Sequence, residues 1–273
     1  MTIITLLTDF GLQDGYVGIM KGVIWGIAPG VQIADISHAI EAQDVLQGAL
    51  TLRRAVPYFP AGTVHVGVVD PGVGTSRRAL AGRLGDQYFV GPDNGLFSLV
   101  QEQAEAQEQR VEWVHLTNPE YWMPHISAVF HGRDIFAPVA AHLANGALLS
   151  ALGEPVHDPV RLALPQPQPT AGDKPPDHGG WSAQVIHIDR FGNLATNLRR
   201  EQIDPAQAII INIKGMEIQG VVQAYGEGVP GELVALFDSG DLLSIAVVNG
   251  DAARTFQVKV GDPVDITFAP LSS

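Results

Sequence analysis

The apolar positions of the first 160 residues change period repeatedly. "IITLL" at residues 3–7, "VQIADI" at 31–36 and "TVHVGVV" at 63–69 are short apolar runs that read as buried strands. Between them, "GYVGIMKGVIWGI" places Val17, Met20, Ile24 and Ile27 at helical spacing. "DVLQGALTLRRAVPYF" reads as a second helix, with Asp44 at its N-cap. "ALAGRLGDQYFVG" reads as two strands around a Gly-Asp turn, and "DIFAPVAAHLANG" as a further helix. "QEQAEAQEQRVEW" is polar on nearly every face and predicts a solvated helix or loop. Strands alternating with helices predict an α/β N-terminal domain with a mostly parallel sheet.

From Leu164 to Gly180 the text changes to "LPQPQPTAGDKPPDHGG", whose five prolines and three glycines cannot continue a helix or a central strand. A linker is expected there, between an N-terminal domain over 1–163 and a C-terminal one over 181–273. After it come "WSAQVIHID", "AIIINI", "ELVALF", "LLSIAVV" and "DPVDITF", short strand candidates separated by Gly, Asp and Pro. They predict a small all-β, barrel-like domain.

Composition narrows the function. The chain has 273 residues, no cysteine and a formal charge of −13. Disulfide and thiolate chemistry are excluded. The acidic balance argues against nucleic acid, which needs a basic face. No apolar stretch reaches the roughly 20 residues of a membrane span, and no secretory leader pattern opens the chain. A soluble, cytoplasmic protein is expected.

Four carboxylate-bearing clusters are candidates for chemistry. "TDFG" puts Asp9 just beyond the first strand. The same triplet holds magnesium in protein kinases, but there it follows a glycine-rich loop, a strand lysine and an H-R-D loop. Only eight residues of this chain precede Asp9, and no G-x-x-x-x-G-K-[ST] motif is present, so no nucleotide-binding lobe is expected. A carboxylate at a strand's C-terminal end does suit a ligand crevice, or equally a turn. "VGVVDPGVGTSRRAL" ends a buried strand in Asp70, turns on Gly72 and Gly74, and brings up Arg77 and Arg78. That is either a charged pair over a cleft or a structural salt bridge. "FHGRD" places His131 and Asp134 before a helix, where a histidine holds or relays a proton or simply packs. "DRFGNLATN" offers Asp189, Phe191, Asn193 and Asn197 at a turn, an aromatic beside amides that could read a base edge, or an ordinary Asx-rich turn. His115, His125 and His142 lack ligand spacing, so no metal site is expected.

Taken in order, "TDFG" with "YVGIMKG", "VVDPGVGTSRR", "VGPDNGLF", "FHGRD", "DRFGNLATN" and "SIAVVNGDAA" resemble the S-adenosylmethionine hydrolase (hydroxide adenosyltransferase) family. Its relatives are the fluorinases and chlorinases. The resemblance spans nearly the whole chain. It implies an α/β domain joined to a β-barrel, a homotrimer with sites between subunits, and no cofactor. The implied reaction is water plus S-adenosylmethionine giving adenosine and methionine.

The family's catalytic triad maps onto Asp70, Arg77 and His131, with Arg78 as the neighbouring alternative to Arg77. Asp9 resembles the carboxylate that accepts both ribose hydroxyls. Phe191 and Asn193 lie where the family contacts adenine and the amino acid part. Asp189 and Ser239 are implied for the methionine ammonium and carboxylate, and backbone near Val248 and Ala252 for the adenine edge. Ser244 stands where the family often has glutamate, and Leu242 where it often has tyrosine, so the methionine end departs from the pattern. The halogenase relatives carry tyrosine at the position of Asp70 and a small hydroxyl residue near Gly132. A halide-using transferase, a non-catalytic sensor of S-adenosylmethionine or adenosine, and a structural trimer with a degenerate site are the competing readings.

Overall fold

The computed structural model describes residues 2–170, 179–203 and 208–269. The chain divides into two compact units, Met1–Leu162 and Ala163–Ser273. Of the stretch expected as a linker, residues 171–178 lie outside the described residues.

The first unit is built on seven strands. They are β1 (Ile3–Thr8), β2 (Gln32–Ser37), β3 (Val64–Val68), β4 (Ala79–Leu84), β5 (Gln87–Pro92), β6 (Val111–Leu116) and β7 (Gly153–Val156), in the order β2-β1-β3-β5-β4-β6-β7. The half β2-β1-β3-β5 is parallel, and β5-β4-β6-β7 is antiparallel. The sheet is therefore mixed, against the expectation of a mostly parallel one. The reason is local. Gly85, at φ 58°, closes a tight turn that folds β5 directly back on β4, and a tight turn can join only antiparallel neighbours.

Alternating side chains sort onto two faces. Ile4, Leu6, Val64, Val66 and Val68 pack under α1 (Tyr16–Ile27) and α4 (Ala137–Ala144). Leu7, Val69, Leu80 and Phe89 face α2 (Val45–Ala55) and the layer of α3 (Ser98–Ala106). Asp44 caps α2 by accepting from Gln47 N–H at 2.8 Å. The run 101–113, expected to be solvated, is partly core: Gln101 is 4% exposed and accepts from the Trp113 indole at 3.0 Å. A buried indole N–H needs such an acceptor, and a polar-looking run conceals it.

Strand order sets where a ligand can enter. From β1 the chain passes through α1 to β2 on one side, then through α2 to β3 on the other. Parallel neighbours whose connections leave in opposite directions open a crevice beyond their C-terminal ends. Asp9 follows β1 there, and Asp70 lies two residues past β3.

The second unit is an eight-stranded sheet. It runs β12 (Met216–Gln219), β11 (Ala208–Ile213), β15 (Pro263–Ala269), β9 (Gly180–Ile188), β10 (Leu194–Arg199), β14 (Leu242–Val247), β13 (Leu233–Phe237), with β8 (Gln168–Thr170) on β9. All its pairings are antiparallel. The end strands β12 and β13 also touch, so the sheet nearly closes around a core of Val185, Leu194, Ile211, Leu243, Ile245 and Val264. Among the described residues, no helix is long and apolar enough to cross a membrane.

One buried histidine makes the first unit's stability depend on pH. His65 on β3 is fully buried, holds Thr5 Oγ1 at 2.8 Å through Nδ1, and stacks on Phe89. Its Nε2 lies toward Gln87 without closing a hydrogen bond of normal geometry. Burial pushes its pKa down to about 4 from 6.5. Between those values the unfolded chain binds the proton and the folded one does not. The stabilisation is thus complete above pH 6.5 and lost as pH falls toward 4, by about 3 kcal/mol. Urea unfolding at pH 7 and pH 4.5 should register this loss, and His65→Gln should flatten the slope over that window.

Candidate active site

At the crevice beyond β1 and β3 lies a cavity of about 390 Å³. Asp9, Asp70 and His131 line it, with Phe10, Tyr16, Gln43, Phe130 and Gly132. Three segments distant in sequence thus converge on one cavity.

Asp70 and Arg77 form the tightest contact. Arg77 Nε donates to Asp70 Oδ1 at 2.9 Å and Oδ2 at 3.1 Å, and Nη2 donates to Oδ2 at 2.5 Å. Both side chains are nearly buried, at 9% and 5% exposure. The same Nη2 lies 2.9 Å from His131 Nδ1, and the guanidinium sits over the Phe136 ring. A guanidinium has no acceptor. His131 Nδ1 must therefore accept, and the imidazole proton resides on Nε2. Burial, and then the Arg77 charge, lower the His131 pKa, against the pull of Asp70 and Asp134. His131 is consequently a neutral imidazole at pH 7 with an N–H donor at Nε2.

Local structure explains why these groups are held. His131 lies at the start of a π-helical turn, Gly132–Phe136, that runs into α4; such turns recur at functional sites. Asp134, only 1% exposed, braces the turn from behind. It takes Ser127 N–H at 2.8 Å and the Arg133 guanidinium at 2.6 and 3.0 Å. Burial alone would raise its pKa, but Arg133 and the Ser127 N–H outweigh burial and lower it. Arg78 faces elsewhere: its Nε binds Asp93 at 2.7 Å and its other nitrogens bind Asp158. Of the two adjacent arginines, Arg77 is the one that reaches Asp70 and His131.

On the first strand's exit, Asp9 Oδ2 accepts from Gln43 N–H at 2.8 Å. Gln43 has φ 68°, a left-handed conformation that a non-glycine residue adopts at a cost. Phe10, Tyr16 and Phe130 meet edge to face at 5.3 to 5.9 Å around the same cavity.

In the second unit, Asp189 organises its turn. Its Oδ1 accepts from Phe191 N–H and Asn193 N–H, and its Oδ2 from Asn193 Nδ2 at 2.8 Å. Phe191 stands 73% exposed on this turn. Asp238 organises a second turn, accepting from Gly240 N–H at 2.8 Å and Leu242 N–H at 3.1 Å, with Ser244 Oγ at 3.4 Å. Ser239 is exposed on that turn and Ser244 is buried behind it. Burial, then the charges of Asp189 and Asp238, raise the Tyr225 pKa. The Val248 N–H and C=O are both engaged, with Glu232 and Gly231. Ala252 is buried at the first position of α5 (Ala252–Phe256). Among the described residues no cluster of three metal-ligating side chains occurs.

The model for the SAM hydroxide adenosyltransferase N-terminal domain matches residues 4–153, and that for the C-terminal domain matches 183–265. The chain belongs to the SAM hydroxide adenosyltransferase family. Among relatives in this family, the (R)-S-adenosyl-L-methionine hydrolase of Salinispora tropica is 39% identical over 264 residues, 97% of each chain. That of Thermus thermophilus is 38% identical over 94% of this chain and 96% of its own. A fluorinase from an Actinoplanes strain is more distant, at 27% identity over 98% of each chain. The crystal structure of a conserved protein from Thermotoga maritima superposes with a TM-score of 0.84 at 38% identity, covering 97% of this chain and 99% of its own.

Three polar residues in these two regions were not singled out from the sequence: Gln43 beside Asp9, and Tyr225 and Asp238 in the second unit. Gln43 acts through its backbone, and Tyr225 lies in no periodic segment. Asp238 adjoins the flagged Ser239, and its place in "FDSGD" was the available signal.

Gly74 keeps the two legs of the triad together. It sits at φ 77°, and a Cβ there would come 2.4 Å from the Ala128 carbonyl oxygen, on the segment that leads to His131. Gly62 has a similar φ of 81° with open space around it. Gly62→Ala is expected to cost about 1 kcal/mol of backbone strain and Gly74→Ala clearly more, about 2–4 kcal/mol. Urea unfolding of the two variants checks the difference.

Proposed function

We propose that this chain hydrolyses S-adenosyl-L-methionine to adenosine and L-methionine, by attack of water on ribose C5′. The observation that carries the reading is the contact chain Asp70–Arg77–His131 at the cavity wall. The relatives named as hydrolases support it.

The sulfonium is a good leaving group, so no cofactor or metal is required to release methionine. The demand lies on the nucleophile. A water between Asp70 and His131 meets an acceptor on one side and a donor on the other. Asp70 accepts one of its protons, and the His131 Nε2–H donates to its oxygen and fixes the lone pair that attacks. The C5′–O bond forms as the C5′–S bond breaks, and that bond's electron pair stays on sulfur as a neutral thioether. The proton passes to Asp70 and then to solvent. Arg77 fixes the Asp70 carboxylate through its hydrogen bonds and holds the histidine tautomer. Positioned proton transfer of this kind contributes about 10² to 10⁴ in rate.

The remaining roles are binding ones. Asp9, which lines the cavity, is assigned to the two ribose hydroxyls. In the second unit, Phe191 and Asn193 are assigned to the nucleoside, Asp189 to the ammonium and Ser239 to the carboxylate of methionine. Ser244 supports the Asp238 turn behind Ser239. The backbone near Val248 and Ala252 is assigned to the adenine edge; the Val248 N–H and C=O themselves pair with Glu232 and Gly231. A homotrimer that shares substrate between neighbouring subunits, in the cytoplasm, completes the proposal.

The halide-using alternative is disfavoured by Asp70 itself. A carboxylate at the cavity wall repels an anion that must approach C5′ from the same side. Incubation with S-adenosylmethionine in chloride buffer should give adenosine and methionine. Chlorinated adenosine as the main product would overturn the hydrolase reading, and tight binding without turnover would favour a sensor. Asp70→Asn and His131→Ala should each lower kcat by about 10² or more, with adenosine affinity nearly unchanged. An equal loss of affinity would make them binding residues.

A further inference from the structure

The Asp9 carboxylate is held by more than its own contact with Gln43. Asp9 sits between Thr8, the last residue of β1, and Phe10, which lines the cavity. Thr8 Oγ1 accepts from Phe10 N–H at 3.2 Å, so the threonine side chain bridges across Asp9. The same Oγ1 lies 2.8 Å from His38 Nδ1, in a contact buried from solvent. Immediately beyond, Gly11 N–H donates to the His38 carbonyl at 2.8 Å. One residue thus grips the chain on both sides of Asp9, by its ring at Thr8 and by its backbone at Gly11.

The direction of the relay follows from its far end. His38 Nε2 lies 3.1 Å from Asp35 Oδ1, off the line of an ideal hydrogen bond, and Asp35 Oδ2 takes Lys21 Nζ at 2.6 Å. A carboxylate beside Nε2 favours the proton there, which leaves Nδ1 as acceptor. Thr8 Oγ1–H then donates to Nδ1, and its lone pair receives Phe10 N–H. His38 is 6% exposed and Thr8 fully buried, so water cannot substitute for either partner.

We propose that His38, acting through Thr8, is a positioning residue that fixes the Asp9 carboxylate for the ribose diol. The proposal rests on the hydrolase reading, in which Asp9 binds ribose. Side-chain amides separate the two ends of the ring: the asparagine oxygen reaches the place of Nδ1, and the glutamine amide that of Nε2. His38→Asn keeps the acceptor for Thr8, whereas His38→Gln keeps only the group beside Asp35. Thr8→Val removes the hydroxyl at constant shape.

The experiment measures steady-state KM and kcat with S-adenosylmethionine, adenosine affinity by calorimetry, and Tm, for these three variants. His38→Gln and Thr8→Val should raise KM and the adenosine Kd about tenfold, while kcat falls much less. His38→Asn should stay within about threefold of the wild type on all three. Adding Thr8→Val to His38→Gln should raise Kd little further, because both cut the same link. Wild-type Kd in His38→Gln and Thr8→Val would overturn the relay, as would equal losses in the Asn and Gln variants that track Tm. If the wild type binds adenosine but turns nothing over, the hydrolase reading fails and the Kd comparison still decides the relay. A wild type that neither binds nor turns over overturns both.

Discussion

A guanidinium donates hydrogen bonds and accepts none, and the site depends on this asymmetry at Arg77. Its Nε and Nη2 engage Asp70, and Nη2 also reaches His131 Nδ1. One cation therefore fixes two groups at once. It grips the carboxylate through its fork of donors, and it forces the imidazole proton to the far nitrogen. A water facing both groups meets one acceptor and one donor, which removes its freedom to point either proton at random. A lysine could supply the charge but not the planar fork. Because the pair is nearly buried, removing either partner strands the other, and the contact is as much a constraint on folding as on chemistry.

The fold brings the partners together from far apart in sequence. Parallel pairing of β1 with β2 on one side and β3 on the other places the ends of β1 and β3 at one crevice. Asp9 and Asp70 are the residues that leave those ends. The third partner comes from the π-helical turn before α4, packed on the same face of the sheet through α1 and β3. Each leg carries its own brace: Gln43 and Thr8 for Asp9, Gly74 for the loop after Asp70, Asp134 for His131. The braces act through backbone or buried contacts, and each holds a cavity-lining group or the loop beside it.

Much of this was legible in the sequence. The strands ending near Asp9 and Asp70 follow from apolar runs stopped by turn residues, and "IITLL", "VQIADI" and "TVHVGVV" all became strands of one sheet. What periodicity could not give was direction. The antiparallel half of the sheet depends on how a Gly-Asp turn closes, and β10 was hidden inside the loop-like motif "DRFGNLATN". Likewise "SRR" by itself does not show which arginine meets Asp70; the family spacing favoured Arg77. The partners of Arg78 are Asp93 and Asp158, 15 and 80 residues away. The polar run after Gln101 read as solvent-facing because a buried amide paired with a tryptophan looks like any other glutamine. Tertiary partners, not local composition, resolved each of these.

The central claim is that a water held by Asp70 and His131 attacks the ribose C5′. It is tested most directly by single-turnover hydrolysis in ¹⁸O-water, followed by mass spectrometry of both products. The account predicts one ¹⁸O at the 5′ oxygen of adenosine and none in methionine. Unlabelled adenosine from the same reaction would contradict it.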